Sequence, residues 1–397
     1  MRRMPWRATK PMDQKLLFIR ACERDELPML ELCEAFGIAR KTGYKWLTRY
    51  KEHGVLGLQE LSRAPQHQPN ATSPEALDLI TELRRERPRW GPKKLLAHLR
   101  PKWPEVEFPV HSTTSEILRR RGLSQSRKRR PRTALYSQPF LGYDEPNAVW
   151  CIDFKGWFMT GDRKRCTPLT ISDGFSRYLL RCHGATRTDF TLVRFVLLSA
   201  FSEYGLPDAI RSDNGPPFAS SAPGGVSRFA VLLIRLGIRP ERIEPGRPTQ
   251  NGRHERIHRT LQEETASPPS SNRLAQQRAF DTFRRDYNEV RPHEALGQKP
   301  PAHLYRPSTR PFKRLLSDPQ YPDDTEPVRV RTDGTMKWNG HHFMLTDVLA
   351  GELVGCKRID AGDWLLSYGP LELGAVDRHG HFRQKKRSRR VLPMSPG

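Results

Sequence analysis

Apolar residues follow two different periods along the chain, and the change between them divides it. Through the first 123 or so positions they recur three and four apart, the spacing of one helix face. From about 149 to 243 they come in short dense runs broken by turn residues. The first segment predicts three helices. Asp13 caps one over 14–24, Leu27-Pro28 opens a second that ends at Phe36, and Gly37-Ile38-Ala39 turns the chain into a third over 40–50. Leu32 and Phe36 share a face, while Ile38, Trp46, Leu47 and Tyr50 supply packing beyond the turn. This is the spacing of a helix-turn-helix; an ordinary three-helix bundle with a solvated basic face has the same pattern.

A stretch of linker composition at 64–70 precedes Ser73-Pro74-Glu75, which starts another helix. Helices over 74–87, 92–99 and 112–121 predict a second helical unit, either another helix-turn-helix or a spacer whose arginines are solvated. Residues 124–138 are basic, lack apolar periodicity and read as an extended arm. Strands follow over 149–154, 166–172 and 178–183, with a turn at Asp173-Gly174. An amphipathic helix over 189–204 comes next, with Leu192, Phe195, Val196 and Ser199 on one face and Gly205-Leu206-Pro207 as its stop. A strand ending at Ser212, a helix near 228–236, a strand near 238–243 and a helix from about Gln250 complete an α/β unit with a mixed sheet. Between 328 and 376, short alternating runs separated by glycines predict a small antiparallel barrel. The expected chain is multidomain. It has α-helical helix-turn-helix units at 1–62 and 72–123, a basic linker at 124–145, a central core at 146–308, a small C-terminal β-barrel at 325–380 and a basic tail at 381–397.

Charge adds a partner to this outline. The 397 residues include 68 Lys and Arg against 44 Asp and Glu, a net charge of +24, which points to a polyanion because neutralising phosphates releases counterions. Nucleic acid is the first candidate, and the helix-turn-helix reading makes double-stranded DNA the expected form. Arg40, Lys41, Thr42, Tyr44, Lys45 and Arg49 on the third helix are donors suited to phosphates and base edges, and Arg127, Lys128, Arg129 and Arg130 lie in the basic arm. No apolar run reaches the ~18 residues of a membrane span and no secretory h-region follows Met1, so the expectation is a soluble, cytoplasmic, nucleoid-associated protein without a membrane partner. Six scattered cysteines form no zinc-ligand spacing and read as reduced thiols.

Three acids stand out against this charge. Asp153 interrupts the apolar run 150–154, Asp213 lies where a strand turns into Asn214-Gly215, and Glu255 sits one turn into a helix of mostly basic neighbours. Singly they read as a strand-end acid, a turn former and an exposed helix acid. Together they suit a hard divalent cation, because Mg²⁺ takes oxygen ligands and bridges carboxylates to phosphate. Two such ions roughly 3.5–4 Å apart serve in-line phosphoryl transfer. Arg253, Arg256 and Arg259 on the same helix are candidate phosphate contacts, and His254 and His258 flank Glu255 as phosphate contacts or solvated histidines.

The Trp150-x-x-Asp153 strand, the Ser212-Asp213-Asn214-Gly215 turn and the Asn251-Gly252-x-x-Glu255-Arg256 helix start resemble the signatures of bacterial insertion-sequence transposases of the retroviral-integrase-like, or DDE, superfamily. The Tyr287-Asn288-x-x-Arg291-Pro292-His293 segment falls where that family has it. The resemblance implies a ribonuclease-H-like core in which Asp153, Asp213 and Glu255 are catalytic and hold two Mg²⁺ ions, with Mn²⁺ as a substitute. It implies strand cleavage at element ends, attack of the 3′-hydroxyl on target DNA, and a homo-oligomer assembled on DNA. It also sets Asp173, in its Asp-x-x-Ser-Arg turn, close to the core. The 41 residues between Asp213 and Glu255 exceed the family's usual spacing. The excess is assigned to a small, flexible loop at 219–226, and Glu244, after 30 residues, is the rival acid. The competing readings are a non-catalytic DNA-binding protein and a metal-dependent nuclease derived from a transposase.

Overall fold

The computed structural model describes residues 11–25, 27–60, 71–124, 144–243, 252–359 and 362–385. The chain forms two compact units, 1–71 and 72–397. In the first, α1 (Pro11–Glu23), α2 (Met29–Phe36) and α3 (Arg40–His53) lie close to the expected positions. Gly37 ends α2 by taking φ 66°, a left-handed conformation that costs glycine little, and the chain re-enters α3 two residues later. Phe18 meets Phe36 edge-on at 5.4 Å and Trp46 at 6.1 Å over a core of Ile19, Leu32, Cys33 and Leu58. Gly43 lets α3 approach that core, since a Cβ there would lie 2.6 Å from Cys33 Sγ and 3.0 Å from Phe18 Cζ. Gly43→Val is therefore expected to destabilise this unit by about 1–3 kcal/mol. Hydrogen exchange on the full chain checks it: protection should fall within 11–60 alone, and unchanged protection there would refute the packing argument.

The second unit opens with α4 (Pro74–Glu86), α5 (Pro92–Leu99) and α6 (His111–Arg120). Ser73 caps α4 by accepting from the Ala76 amide, and Pro74 and Pro92 stand at first-turn positions where a missing N–H costs nothing. Ile80, Trp90, Leu95, Leu99 and Leu118 form the small core. Its arginines are not simply solvated. Arg87 pairs with Asp286 at 2.7 Å, Arg89 with Glu263 at 3.3 Å, and Arg84 donates to the Leu123 carbonyl.

The central sheet comprises β1 (Val149–Phe154), β2 (Phe158–Met159), β3 (Arg165–Asp173), β4 (Leu179–Ala185), β5 (Ala209–Ser212) and β6 (Arg239–Arg242). It is mixed: β4, β3 and β1 run antiparallel in that order, and β5 and β6 continue parallel to β1. Its helices are α7 (Phe190–Tyr204), α8 (Arg228–Arg235), α9 (Gly252–Thr265) and α10 (Arg273–Arg285). One sheet face, with Trp150, Ile152, Leu169, Ile171 and Ile210, packs on α7 and α8. The other, with Cys166 and Cys182, packs on Ile257 and Leu261 of α9 and Phe280 and Phe283 of α10. No helix among the described residues is long and apolar enough to cross a membrane.

Two expectations are corrected here. Asp189 caps α7, and the buried face is Val193, Val196, Leu197, Ala200, Phe201 and Tyr204 rather than the expected one, with Phe195 65% exposed. The helix is apolar nearly all round, so periodicity could not select its inner face. Residues 219–226 are not a loose loop either. Pro223, Gly225 and Val226 are buried, and Val226 joins Ala230 and Ile234 of α8 in a core shared with the C-terminal strands. Small side chains there serve close backbone packing rather than mobility.

Those strands are β7 (Thr325–Arg329), β8 (Thr335–Trp338), β9 (His341–Met344), β10 (Leu353–Arg358), β11 (Trp364–Tyr368), β12 (Leu371–Val376) and β13 (Phe382–Gln384). They form a five-stranded antiparallel sheet, β13-β12-β11-β10-β7, and a separate β8-β9 hairpin. All six cysteines are free thiols, four of them buried.

Candidate active site

The strand pairing brings two of the three acids to one place. Val149, Trp150 and Cys151 of β1 pair in parallel with Ala209, Ile210 and Arg211 of β5. Continued by two residues, this register sets Asp213 opposite Asp153 at the carboxyl ends of neighbouring parallel strands, where open α/β sheets present their functional residues. Both acids alternate with Trp150, Ile152 and Ile210, which face α7 and α8, so both belong to the opposite face. Asp213 accepts the Gly215 amide at 3.1 Å, and the Asn214 amide donates to the Ile243 carbonyl at 2.7 Å, which holds the turn. Burial pushes the Asp213 carboxyl above the ordinary aspartate value, and the Gly215 bond only partly offsets it.

Helix α9 is pinned over this same face. Asp153 pairs across the sheet with Thr170, whose hydroxyl lies 2.6 Å from His254 Nε2 and 2.7 Å from His258 Nε2, with Ser172 Oγ 3.3 Å from His254 Nδ1. Neither histidine is solvated: exposures are 2% and 6%. Burial drives His254 down to about 4 and His258 lower still. Their stripe, 254, 257, 258, 261, is the buried face of the helix, and that spacing was the missed signal. Glu255, one position round, is exposed. Among the described residues no three acidic, histidine or cysteine side chains are gathered into a metal-sized cluster. Glu244, the rival acid, lies outside the described residues.

Asp173 is structural. It is 1% exposed and accepts from the Asn147 amide at 2.8 Å and from the Ser176 amide and hydroxyl at 2.7 and 2.6 Å. Asn147 Oδ1 in turn accepts from Trp150 Nε1 and the Tyr305 hydroxyl, both at 3.0 Å, so this network fixes the strand that carries Asp153. Asn288 closes the edge of β4 by bonding both the amide and the carbonyl of Leu179, at 2.8 and 3.0 Å.

On α3, Arg40, Lys41, Tyr44 and Lys45 are exposed, and Thr42 and Arg49 are half-buried. Arg256 and Arg259 are exposed on α9. Arg127, Lys128, Arg129 and Arg130 lie outside the described residues, as does the side chain of Arg253. A cavity of about 670 Å³ beside α7 contains none of the three acids.

The integrase core domain family matches residues 144–248 and a second integrase core domain family residues 236–301; homeodomain-like families match 10–59 and 42–118. An insertion element IS476 protein of 39.2 kDa from Xanthomonas euvesicatoria is 31% identical over 262 residues, 65% of this chain and 73% of its own. An insertion element IS407 protein of 31.7 kDa from Burkholderia multivorans is 30% identical over 262 residues, 64% of this chain and 90% of its own. The chain belongs to the bacterial insertion-sequence transposases of the integrase-like superfamily. The transposase thus joins helix-turn-helix domains to an integrase core of the polynucleotidyl transferase superfamily. Among solved structures, the HTLV-2 integrase catalytic core domain in complex with magnesium is 17% identical with a TM-score of 0.33, covering 41% of this chain and 99% of its own.

Proposed function

We propose that the transposase binds the ends of its element and catalyses divalent-metal-dependent strand cleavage followed by strand transfer. What supports this reading is the parallel pairing of β1 with β5, whose register, carried two residues past its last pair, sets Asp153 opposite Asp213 on the sheet face that α9 covers. The donor set fits a hard cation. All three are carboxylates, and burial disfavours the charge on Asp213, which an adjacent cation would compensate. Asp153, Asp213 and Glu255 would hold two Mg²⁺ ions, with Mn²⁺ as a substitute. When bound, the metals neutralise the phosphodiester and lower the pKa of an attacking oxygen.

The chain's residues do the rest. The Gly215 amide orients Asp213, the Asn147 network holds β1, and His254 and His258 hold α9 against Thr170. Exposed Arg256 and Arg259, with Arg253, neutralise flanking phosphates. Arg40, Lys41, Thr42, Tyr44, Lys45 and Arg49 read the element end, and Arg127, Lys128, Arg129 and Arg130 follow the backbone. Water attacks first and leaves a 3′-hydroxyl; that hydroxyl attacks target DNA and expels a 3′-hydroxyl there, so no covalent protein–DNA link forms. Two ends handled together call for a homo-oligomer on DNA. The C-terminal strands are read as a small barrel and the chain as cytoplasmic and nucleoid-associated.

The test is full-length protein with end-labelled duplex carrying the sequence that flanks the gene, in Mg²⁺ or Mn²⁺, with binding followed in parallel. Nicked and joined products are expected. Nicks without joining would leave a nuclease, and binding without either product would leave an end-binding protein.

A further inference from the structure

Two motifs that the three acids do not use meet at one cavity. The Asp173-x-x-Ser176-Arg177 turn contributes Arg177, and the segment from Tyr287 to His293 contributes Arg291 and His293. Helix α5 adds Lys94 and α9 adds Arg256, around a space of about 60 Å³. Cys151 also lines it, and Cys151 stands two residues before Asp153 on the same sheet face, about 7 Å along the strand. We propose that this cavity binds one backbone phosphate of DNA next to the acidic centre. The proposal rests on the reading of the chain as a DNA-processing transposase and names a contact which that reading lacks.

The charges favour an anion. Arg291 pairs with Glu264, Lys93 rather than Lys94 pairs with Glu294 at 2.7 Å, and both oxygens of Asp173 are already bonded to Asn147 and Ser176. The lining as a whole still brings four cations, Lys94, Arg177, Arg256 and Arg291, against one carboxylate, Asp173. Burial and the nearby Arg291 push Lys94 down to about 8, a crowding that an anion relieves. A second observation is independent of charge. His293 is 8% exposed, and its Nε2 has no hydrogen-bond partner among the described residues. A buried polar atom left so is costly, and a phosphate oxygen meets it once the ring is imidazolium, the form that the anion's charge favours. The cavity also joins α5 to α9, so one phosphate would tie the second helical unit to the helix of Glu255.

The experiment uses the full chain and a Lys94→Gln/Arg177→Gln variant. Binding of the flanking duplex is measured against salt, and again with single methylphosphonates that neutralise one phosphate at a time. For wild type, one position near the cleavage end should weaken binding several-fold when neutralised. The variant should lose that sensitivity, and its slope of log affinity against log salt should fall by about 1. Retention of every sensitivity and of the slope overturns the proposal. Inorganic phosphate, compared with chloride at equal ionic strength, should raise the melting temperature of wild type and not of the variant. If it does so while no DNA position depends on these residues, the cavity takes free phosphate and the DNA assignment fails. Should wild type bind no flanking duplex, the transposase reading fails, while equal phosphate stabilisation of both proteins separately refutes the cavity. Arg256→Gln, on an exposed position, repeats the test if the double variant does not fold.

Discussion

Asp153→Asn and Asp213→Asn each lower the rate of strand cleavage and joining at least about a thousandfold while the protein still binds the flanking duplex. A carboxylate that holds a catalytic cation contributes several kcal/mol to the transition state, and about 4 kcal/mol corresponds to that factor. Asn keeps the volume and one acceptor oxygen but removes the charge. Binding survives because the basic residues on α3 and α9 lie on other side chains. Stability supplies an internal control. Burial raises the Asp213 carboxyl above its ordinary value, so its charge costs folding free energy at neutral pH, and Asp213→Asn should melt no lower than wild type. Glu255→Gln should match the two in rate. Residual activity within tenfold of wild type for any of the three would remove that acid from the site.

Acid is expected to release α9. His254 has a folded pKa near 4 against an ordinary 6.5, and His258 moves in the same direction. A buried histidine whose folded value is depressed binds protons preferentially in the unfolded chain. Stability is therefore full above about pH 6.5 and falls as pH drops toward 4. Each ring costs about 2 kcal/mol at pH 5 by this linkage. The geometry compounds it. The two ring centroids are 4.8 Å apart around the one Thr170 hydroxyl, so two imidazoliums there would repel one another. Chemical denaturation from pH 7.5 to 5 should show this loss. It should be reduced in a His254→Gln/His258→Gln protein, with His293, held near 3 by burial and by Lys94 and Arg291, giving part of the remaining slope. An unchanged slope in that variant would mean that the clamp does not set the acid limit. Hydrogen exchange in 252–265 should rise first, and activity should fall with it because Glu255 travels on this helix.

Much of this was legible in the order of residues because the signals are local. Ser73-Pro74 marks a helix start by capping chemistry, Gly37 and Gly205 mark ends, and the dense run at 149–154 is a strand whose bounds coincide with those expected. The strands at 325–329, 371–376 and 382–384 were harder. Two of them edge the sheet, with one side mostly solvated, so alternation is weak. Asp153 and Asp213 drew notice for a local reason too, since each interrupts or ends an apolar strand, whereas Glu255 is exposed on its helix. The histidines share the stripe of Ile257 and Leu261, which marks them as buried but does not reveal the Thr170 hydroxyl that the stripe meets across 84 and 88 positions.

Residue order alone sufficed for the helix-turn-helix outline, the mixed central sheet and the basic character, because caps, turns, periodicity and charge act over a few positions. Folding had to supply the rest: the parallel pairing of β1 with β5, the contact of 219–226 with the C-terminal strands, the burial of His254 and His258 on Thr170, and the meeting of Lys94, Arg177, Arg291 and His293. Each joins residues tens to hundreds of positions apart, and what brings them together is the burial of a whole sheet face, a quantity that belongs to no short stretch of chain.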